Sequence, residues 1–96
     1  MLTILAVPSF TRISKKLHKT EKLDLEVAMK AVAADPTVGE EKKGDLSGMF
    51  VYKYYSNKQQ VLLSYHLQPS KFNPESVTFL SIGSHENFYV NLKLIK

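Results

Sequence analysis

The chain has 96 residues, too few for two independent hydrophobic cores, so a single domain over residues 1–96 is expected. Apolar residues make up 44% and charged residues 23%, the balance of a globular protein and not of a disordered one. The net charge of +4 permits a polyanionic partner without identifying it, and twelve of the thirteen cations are lysine, Arg12 being the exception. With no cysteine, disulfides, thiolate metal sites and a cysteine nucleophile are excluded.

The N-terminal sequence is apolar but short. It lacks the basic start of a secretion signal, and no run approaches the roughly 18 apolar residues of a membrane span. We therefore expect a soluble, cytoplasmic protein. The apolar residues Leu2 to Val7 predict a buried strand, which Pro8 ends because proline has no N–H to donate.

Two amphipathic helices are predicted next. Ser9 is the expected cap of the first, whose apolar stripe is Phe10, Ile13 and Leu17 and whose exposed side is a basic stripe. Thr20 is the expected cap of the second, which runs to Ala34 with an apolar stripe of Leu25, Met29 and Val32. Their short connection predicts an antiparallel helical hairpin.

The rest of the chain favours strands. Residues 35–48 hold three of the four glycines and no hydrophobic period, which predicts a loop. Alternating residues then predict a three-stranded meander, with a turn at residues 56–58 and strands over Met49–Tyr55, Gln60–Gln68 and Val77–Ile82. Apolar residues at helical spacing predict a short helix over Glu86–Lys96.

These elements give an α+β fold of order β-α-α-β-β-β-α. The predicted sheet has four mainly antiparallel strands, the helical hairpin packs on one face, and a short C-terminal helix follows. Because so few helices cannot cover both faces, we expect the second face to be partly open and to carry the functional site.

His85 is the first candidate for chemistry. It lies where the last strand gives way to the predicted terminal helix, and Tyr89 is one helical turn further on. A histidine there can transfer a proton near neutral pH. The alternative is structural, with Ser84 capping the helix and His85 occupying its first turn.

A second set of candidates shares one predicted sheet face. Lys53 and Tyr55 lie on one strand and His66 on the next. If the strand register brings them to one concavity with His85, they combine positive charge, stacking surfaces and a titratable group, as a site for single-stranded RNA requires. Lys42 and Lys43 are either a phosphate clamp ahead of the strand or a solvated loop beside nearby carboxylates.

Three strings and their order resemble the RelE/ParE superfamily of type II toxin–antitoxin toxins: KGDLSGMFVYKYY, LLSYHL and the closing IGSHENFYVNLK. The resemblance extends over nearly the whole chain. It implies a toxin that a small antitoxin neutralises and, in many relatives, cleavage of mRNA on the ribosome by attack of a ribose 2′-OH, with no metal or other cofactor.

The same resemblance assigns roles by position. His85 matches the acid/base or phosphate-contacting residue, Tyr89 a nearby aromatic, and Lys53 a strand cation. Where RNA-cleaving members carry an arginine on the third strand, this chain has Leu62 or Ser64, with His66 as the nearest polar substitute. Two further functions therefore stay open: a DNA gyrase inhibitor, as in the gyrase-poisoning branch, and a non-catalytic relative that only binds antitoxin.

Overall fold

The computed structural model describes residues 1–44 and 48–83, which form a mixed sheet with two helices on one face. The helices are α1 (Pro8–Lys15) and α2 (Lys19–Ala34), followed by one 3₁₀ turn, Pro36–Val38. The strands are β1 (Thr3–Ala6), β2 (Glu40–Glu41), β3 (Phe50–Ser56), β4 (Gln59–Gln68) and β5 (Ser76–Gly83). The predicted α+β class is confirmed, while the predicted helix Glu86–Lys96 lies outside the described residues.

The sheet has five strands in the order β1-β5-β4-β3-β2, so the prediction of four strands was wrong. The additional strand is β2, which lies inside the predicted loop. Its residues Glu40 and Glu41 pair with Val51 and Phe50 of β3. A strand of two residues has no alternation for sequence patterns to detect. β1 runs parallel to β5 and the other pairs are antiparallel.

Both helices begin earlier than the sequence predicted. Val7 is the N-cap of α1, and Pro8 stands in the first turn, where its missing N–H costs nothing. His18 is the N-cap of α2, and its backbone N–H donates to the Glu21 carboxylate at 3.3 Å. Ser9 and Thr20 therefore lie inside the helices.

The main core lies between the helices and one sheet face. Phe10 of α1 stacks on Phe79 of β5, with ring centroids 5.8 Å apart, and Tyr65 of β4 packs against the same ring at 6.0 Å. The predicted stripe on α2 is largely confirmed, because Leu25 and Val32 are buried. On α1 Phe10 is buried and Ile13 is exposed, while Leu17, the third residue of the predicted stripe, follows the end of α1 and is partly buried.

The second face of the sheet is buried in its middle and exposed at its ends, so it is partly open, as expected. Val51, Leu62 and Leu80 form a small buried cluster there, and Ser64 beside them is fully buried. β1, predicted to be buried, instead has only exposed residues, because it is an edge strand with a neighbour on one side. The exposed part of the second face is therefore confined to its ends.

Tyr65 fastens the 3₁₀ turn to the sheet. Its hydroxyl donates to the Pro36 carbonyl at 2.6 Å and accepts from the Gly39 N–H at 3.1 Å. Burial raises the pKa of Tyr65 to about 12, so the hydroxyl keeps its proton and its donor role at neutral pH. A side chain at Gly39 would overlap the Tyr65 ring. Only glycine therefore lets the backbone come this close to the ring.

The β3–β4 hairpin turns through Asn57 and Lys58, with φ of 53° and 64°, while Ser56 belongs to β3. Two successive positive φ values are typical of a type I′ turn, which matches the twist of the flanking strands.

Replacing Lys58 with glycine should therefore stabilise the fold. Lysine is strained at positive φ and glycine is not, so we expect a gain of about 0.5–1 kcal/mol in the free energy of unfolding. Urea denaturation of Lys58→Gly beside Lys58→Ala measures it. An equal effect of both substitutions would contradict the turn assignment.

Candidate nucleic-acid interface

Lys53 belongs to a row of residues that crosses three strands. Leu62 of β4 is paired with Lys53 of β3 on one side and with Gly83 of β5 on the other. Gly83 precedes His85 by two residues along the chain. The register therefore puts Lys53 at the end of the sheet from which the chain continues to His85.

His85 and Tyr89 themselves lie outside the described residues. Their predicted roles, and the predicted approach of His85 to Lys53, stay predictions.

His66 does not join this end of the sheet. It shares the second face with Leu62 and Ser64 and is partly buried, opposite Thr78 of β5. It is four positions along β4 from Leu62, a distance of about 14 Å on an extended strand. The predicted convergence of His66 with Lys53 and Tyr55 is therefore wrong. The two strands were predicted correctly, but their register depends on the turn and on packing that sequence patterns do not reveal.

Tyr55 stays close to Lys53, two residues along β3 and on the same face. Its side chain is 72% exposed and its cross-strand partner is Gln60, also exposed. Lys53 is exposed as well. These two side chains offer a cation and a free aromatic ring at one end of the second face, as the sequence predicted.

Glu40 is a member of this surface that sequence reasoning did not single out. It pairs with Val51, which places it on the face of Lys53, and it accepts a hydrogen bond from the Lys42 ammonium at 3.1 Å. That hydrogen bond and the charge of Lys42, with a smaller contribution from Lys53, hold the pKa of Glu40 below its usual value. A carboxylate beside both lysines weakens their combined attraction for a phosphate.

Lys42 and Lys43 follow β2 directly. The Lys42 backbone N–H donates to the Met49 carbonyl at 2.8 Å, and its side chain is turned to Glu40, whereas Lys43 is exposed. Glu40 is thus the carboxylate paired with Lys42, whose side chain is only 20% exposed. The phosphate clamp stays a prediction.

The net charge of the chain is concentrated in the helical hairpin. Residues 12–22 contain five cationic residues and one acidic residue. The other positions hold eight cationic and eight acidic residues, so their charges balance. This cationic cluster consists of Arg12, Lys15, Lys16, Lys19 and Lys22. All five side chains are exposed, and no ion pair involves them within residues 1–44 and 48–83.

The cationic cluster lies at the same end of the sheet as Lys53 but on the helix-covered side, across the sheet from the face that carries Lys53. A groove of about 190 Å³ separates the helical hairpin from the β3–β4 hairpin, and its lining includes Leu17, Glu21, Gln60 and Gly83. Asp24 of α2 accepts a hydrogen bond from Ser56 of β3 at 2.8 Å, which ties the two hairpins together. Sequence reasoning noted the basic stripe on the first helix but not its place beside the Lys53 end.

The described ranges hold neither a metal-binding cluster nor a membrane-spanning helix. No group of three His, Asp or Glu side chains within them is close enough to hold a metal ion. Neither helix described there is long and apolar enough to cross a membrane.

Comparison with known proteins identifies the family. The family model of the ParE-like toxins of type II bacterial toxin–antitoxin systems matches residues 4–93. No curated protein matched the chain.

Proposed function

The chain belongs to the ParE-like toxins of type II toxin–antitoxin systems, and we propose that it arrests translation as a ribosome-dependent mRNA endoribonuclease in the cytoplasm. Membership of the family implies a cognate antitoxin as its partner. The observation that carries the proposal is the cationic cluster at the end of the sheet that bears Lys53, since a polyanion is the substrate that such a field attracts.

The proposed reaction needs only protein side chains and the RNA. A ribose 2′-oxygen attacks the adjacent phosphorus, the bond to the 5′-oxygen breaks, and the products end in a 2′,3′-cyclic phosphate and a 5′-hydroxyl. The attacking hydroxyl must lose a proton and the leaving 5′-oxygen must gain one. The role proposed for His85 is one of these two transfers, as base or as proton donor. Lys53 neutralises charge on the phosphorane, and Tyr55 and Tyr89 stack against or orient the bases.

A gyrase-directed inhibitor is the second candidate, and one observation favours it. Leu62 and Ser64 hold the strand positions where RNA-cleaving relatives carry an arginine, and both side chains are fully buried. His66, the nearest polar substitute, lies about 14 Å along the strand from Leu62. A site of this kind has fewer cations for a phosphate, so a protein target is the natural rival.

Induction of the toxin without antitoxin tests these functions together. Transcripts should be cut within translated regions while growth stops, and His85→Ala should grow normally with intact transcripts. DNA damage with whole transcripts would identify the gyrase-directed function. Normal growth with the unaltered toxin would identify a relative that only binds antitoxin. A His85→Ala protein as toxic as the parent would refute the role of His85.

The cationic cluster should also set the salt dependence of ribosome binding. Lys15→Gln with Lys22→Gln removes two cations, and the slope of log K against log salt should become shallower by about 0.7–0.9 for each lysine that binds a phosphate. Lys30→Gln with Lys71→Gln is the matched control, because it removes the same charge from residues that are already ion-paired. Equal slopes for the two double variants would contradict a role for the cluster.

A further inference from the structure

The loop between β4 and β5 presents a bare aromatic ring. Phe72 is 87% exposed, the highest value among the large apolar residues that the structure describes. Its neighbours in the sequence, from Ser70 to Glu75, are polar apart from Pro74. Covering such a ring with apolar side chains of a partner removes its surface from water and is favourable.

The loop that carries Phe72 is held in place from several sides. The Ser70 hydroxyl accepts the backbone N–H groups of Phe72 at 3.0 Å and Asn73 at 3.3 Å. Lys71 donates to both carboxylate oxygens of Glu41 at 2.9 Å, which ties the loop to β2. Because these bonds already order the loop, little entropy remains to be lost when the ring is bound.

Phe72 lies at the far end of the sheet from Lys53. Gln68, the last residue of β4 before the loop, is six residues from Leu62, or about 20 Å along the strand. A contact at Phe72 is therefore separate from Lys53 and Tyr55, although Lys71 joins its loop to Glu41 of β2.

The charges near the ring favour a protein partner over a nucleic acid. Lys71, whose ammonium is 5.3 Å from the centre of the ring, is neutralised by Glu41, and Glu75 adds a negative charge. The cationic cluster that would attract phosphate lies at the other end of the molecule. One ring also buries far less surface area than the roughly 1,200–2,000 Å² typical of a stable complex. A partner that covers the ring must therefore bind other parts of the chain as well.

We propose that Phe72 is an anchor for the cognate antitoxin, which covers the ring with apolar side chains while it also contacts other parts of the toxin. The longest dimension of the chain is 34 Å, so an extended segment of about ten residues is long enough to reach from one end of the sheet to the other. This inference rests on the antitoxin partner of the proposed function and is independent of the RNA chemistry.

Antitoxin binding by Phe72→Ala, Phe72→Tyr and the parent toxin tests the proposal. Loss of a buried aromatic anchor should weaken binding of the cognate antitoxin at least about tenfold, chiefly through faster dissociation, while Phe72→Tyr stays within about threefold of the parent. Growth arrest by Phe72→Ala without antitoxin should equal that of the parent. The exposed ring makes no core contact, so the melting temperature should not change.

Two results would overturn the anchor. One is antitoxin affinity of Phe72→Ala equal to that of the parent. The other is loss of growth arrest with unchanged antitoxin affinity, which would place the ring against the cellular target. Failure of the endoribonuclease proposal looks different, since it would leave the effect of Phe72→Ala on antitoxin affinity intact.

Discussion

Replacing Lys53 with alanine is expected to slow mRNA cleavage on the ribosome about 100-fold. Lys53 is the exposed cation in the row that leads through Leu62 to Gly83, and it is proposed to stabilise charge that develops in the transition state. Removing one such group from an active site costs about 10²–10³ in rate. The measurement is single-turnover cleavage of mRNA bound to purified ribosomes.

Lys30→Ala is the matched control for this prediction. It removes the same charge from an exposed lysine of α2 that pairs with Glu26 at 3.0 Å, so its cleavage rate should stay within about twofold. Lys53→Arg, which keeps the charge, should recover part of the lost rate. If Lys53→Ala cleaved mRNA as fast as the Lys30→Ala control, Lys53 would have no role in the reaction.

Gly39→Ala is expected to lower the free energy of unfolding by about 2–3 kcal/mol. The added methyl group would overlap the buried ring of Tyr65, and overpacking of this kind costs about 1–3 kcal/mol. Displacement of the ring also disturbs the hydrogen bonds of the Tyr65 hydroxyl with Pro36 and Gly39. For a domain of this size the melting temperature should fall by roughly 10 °C.

The neighbouring substitution Val38→Ala is the control, because Val38 is 42% exposed and outside the core, and its effect should stay below about 0.5 kcal/mol. A double variant tests the mechanism. In a Tyr65→Phe background the atom nearest to the new methyl group is gone, so Gly39→Ala should cost less than in the parent. Strict additivity of the two substitutions would contradict a clash with the hydroxyl.

Much of the sheet could be predicted because alternation is a strong signal. The residues Tyr52, Tyr54 and Leu63 pack with the main core, and Val51 and Leu62 lie on the opposite face, as period two required. β2 was missed because two residues show no period. The second face was expected to be partly open because two or three helices cannot cover both faces, but that count does not show which part is buried, namely the middle at Leu62 and Ser64.

The candidate site could be predicted only in part, because sequence patterns locate strands but do not show how the strands pair. The strands β3, β4 and β5 were predicted, but which residues oppose one another depends on the turn at Asn57 and Lys58 and on a bulge between Ser64 and Tyr65, where the pairing with β5 shifts by one residue. Lys53 and Tyr55 share a strand and therefore stayed together. His66 is on the next strand, and only the register shows that it lies far from them. Glu40 joined the surface through β2, the strand that patterns do not reveal.

Purified toxin incubated with mRNA-programmed ribosomes, and separately with DNA gyrase and supercoiled DNA, tests the central claim most directly. The proposed function predicts cuts in the ribosome-bound mRNA that leave 5′-hydroxyl ends, no cuts in the same mRNA without ribosomes, and unchanged gyrase activity. Intact mRNA together with inhibited gyrase or gyrase-dependent DNA breaks would contradict it.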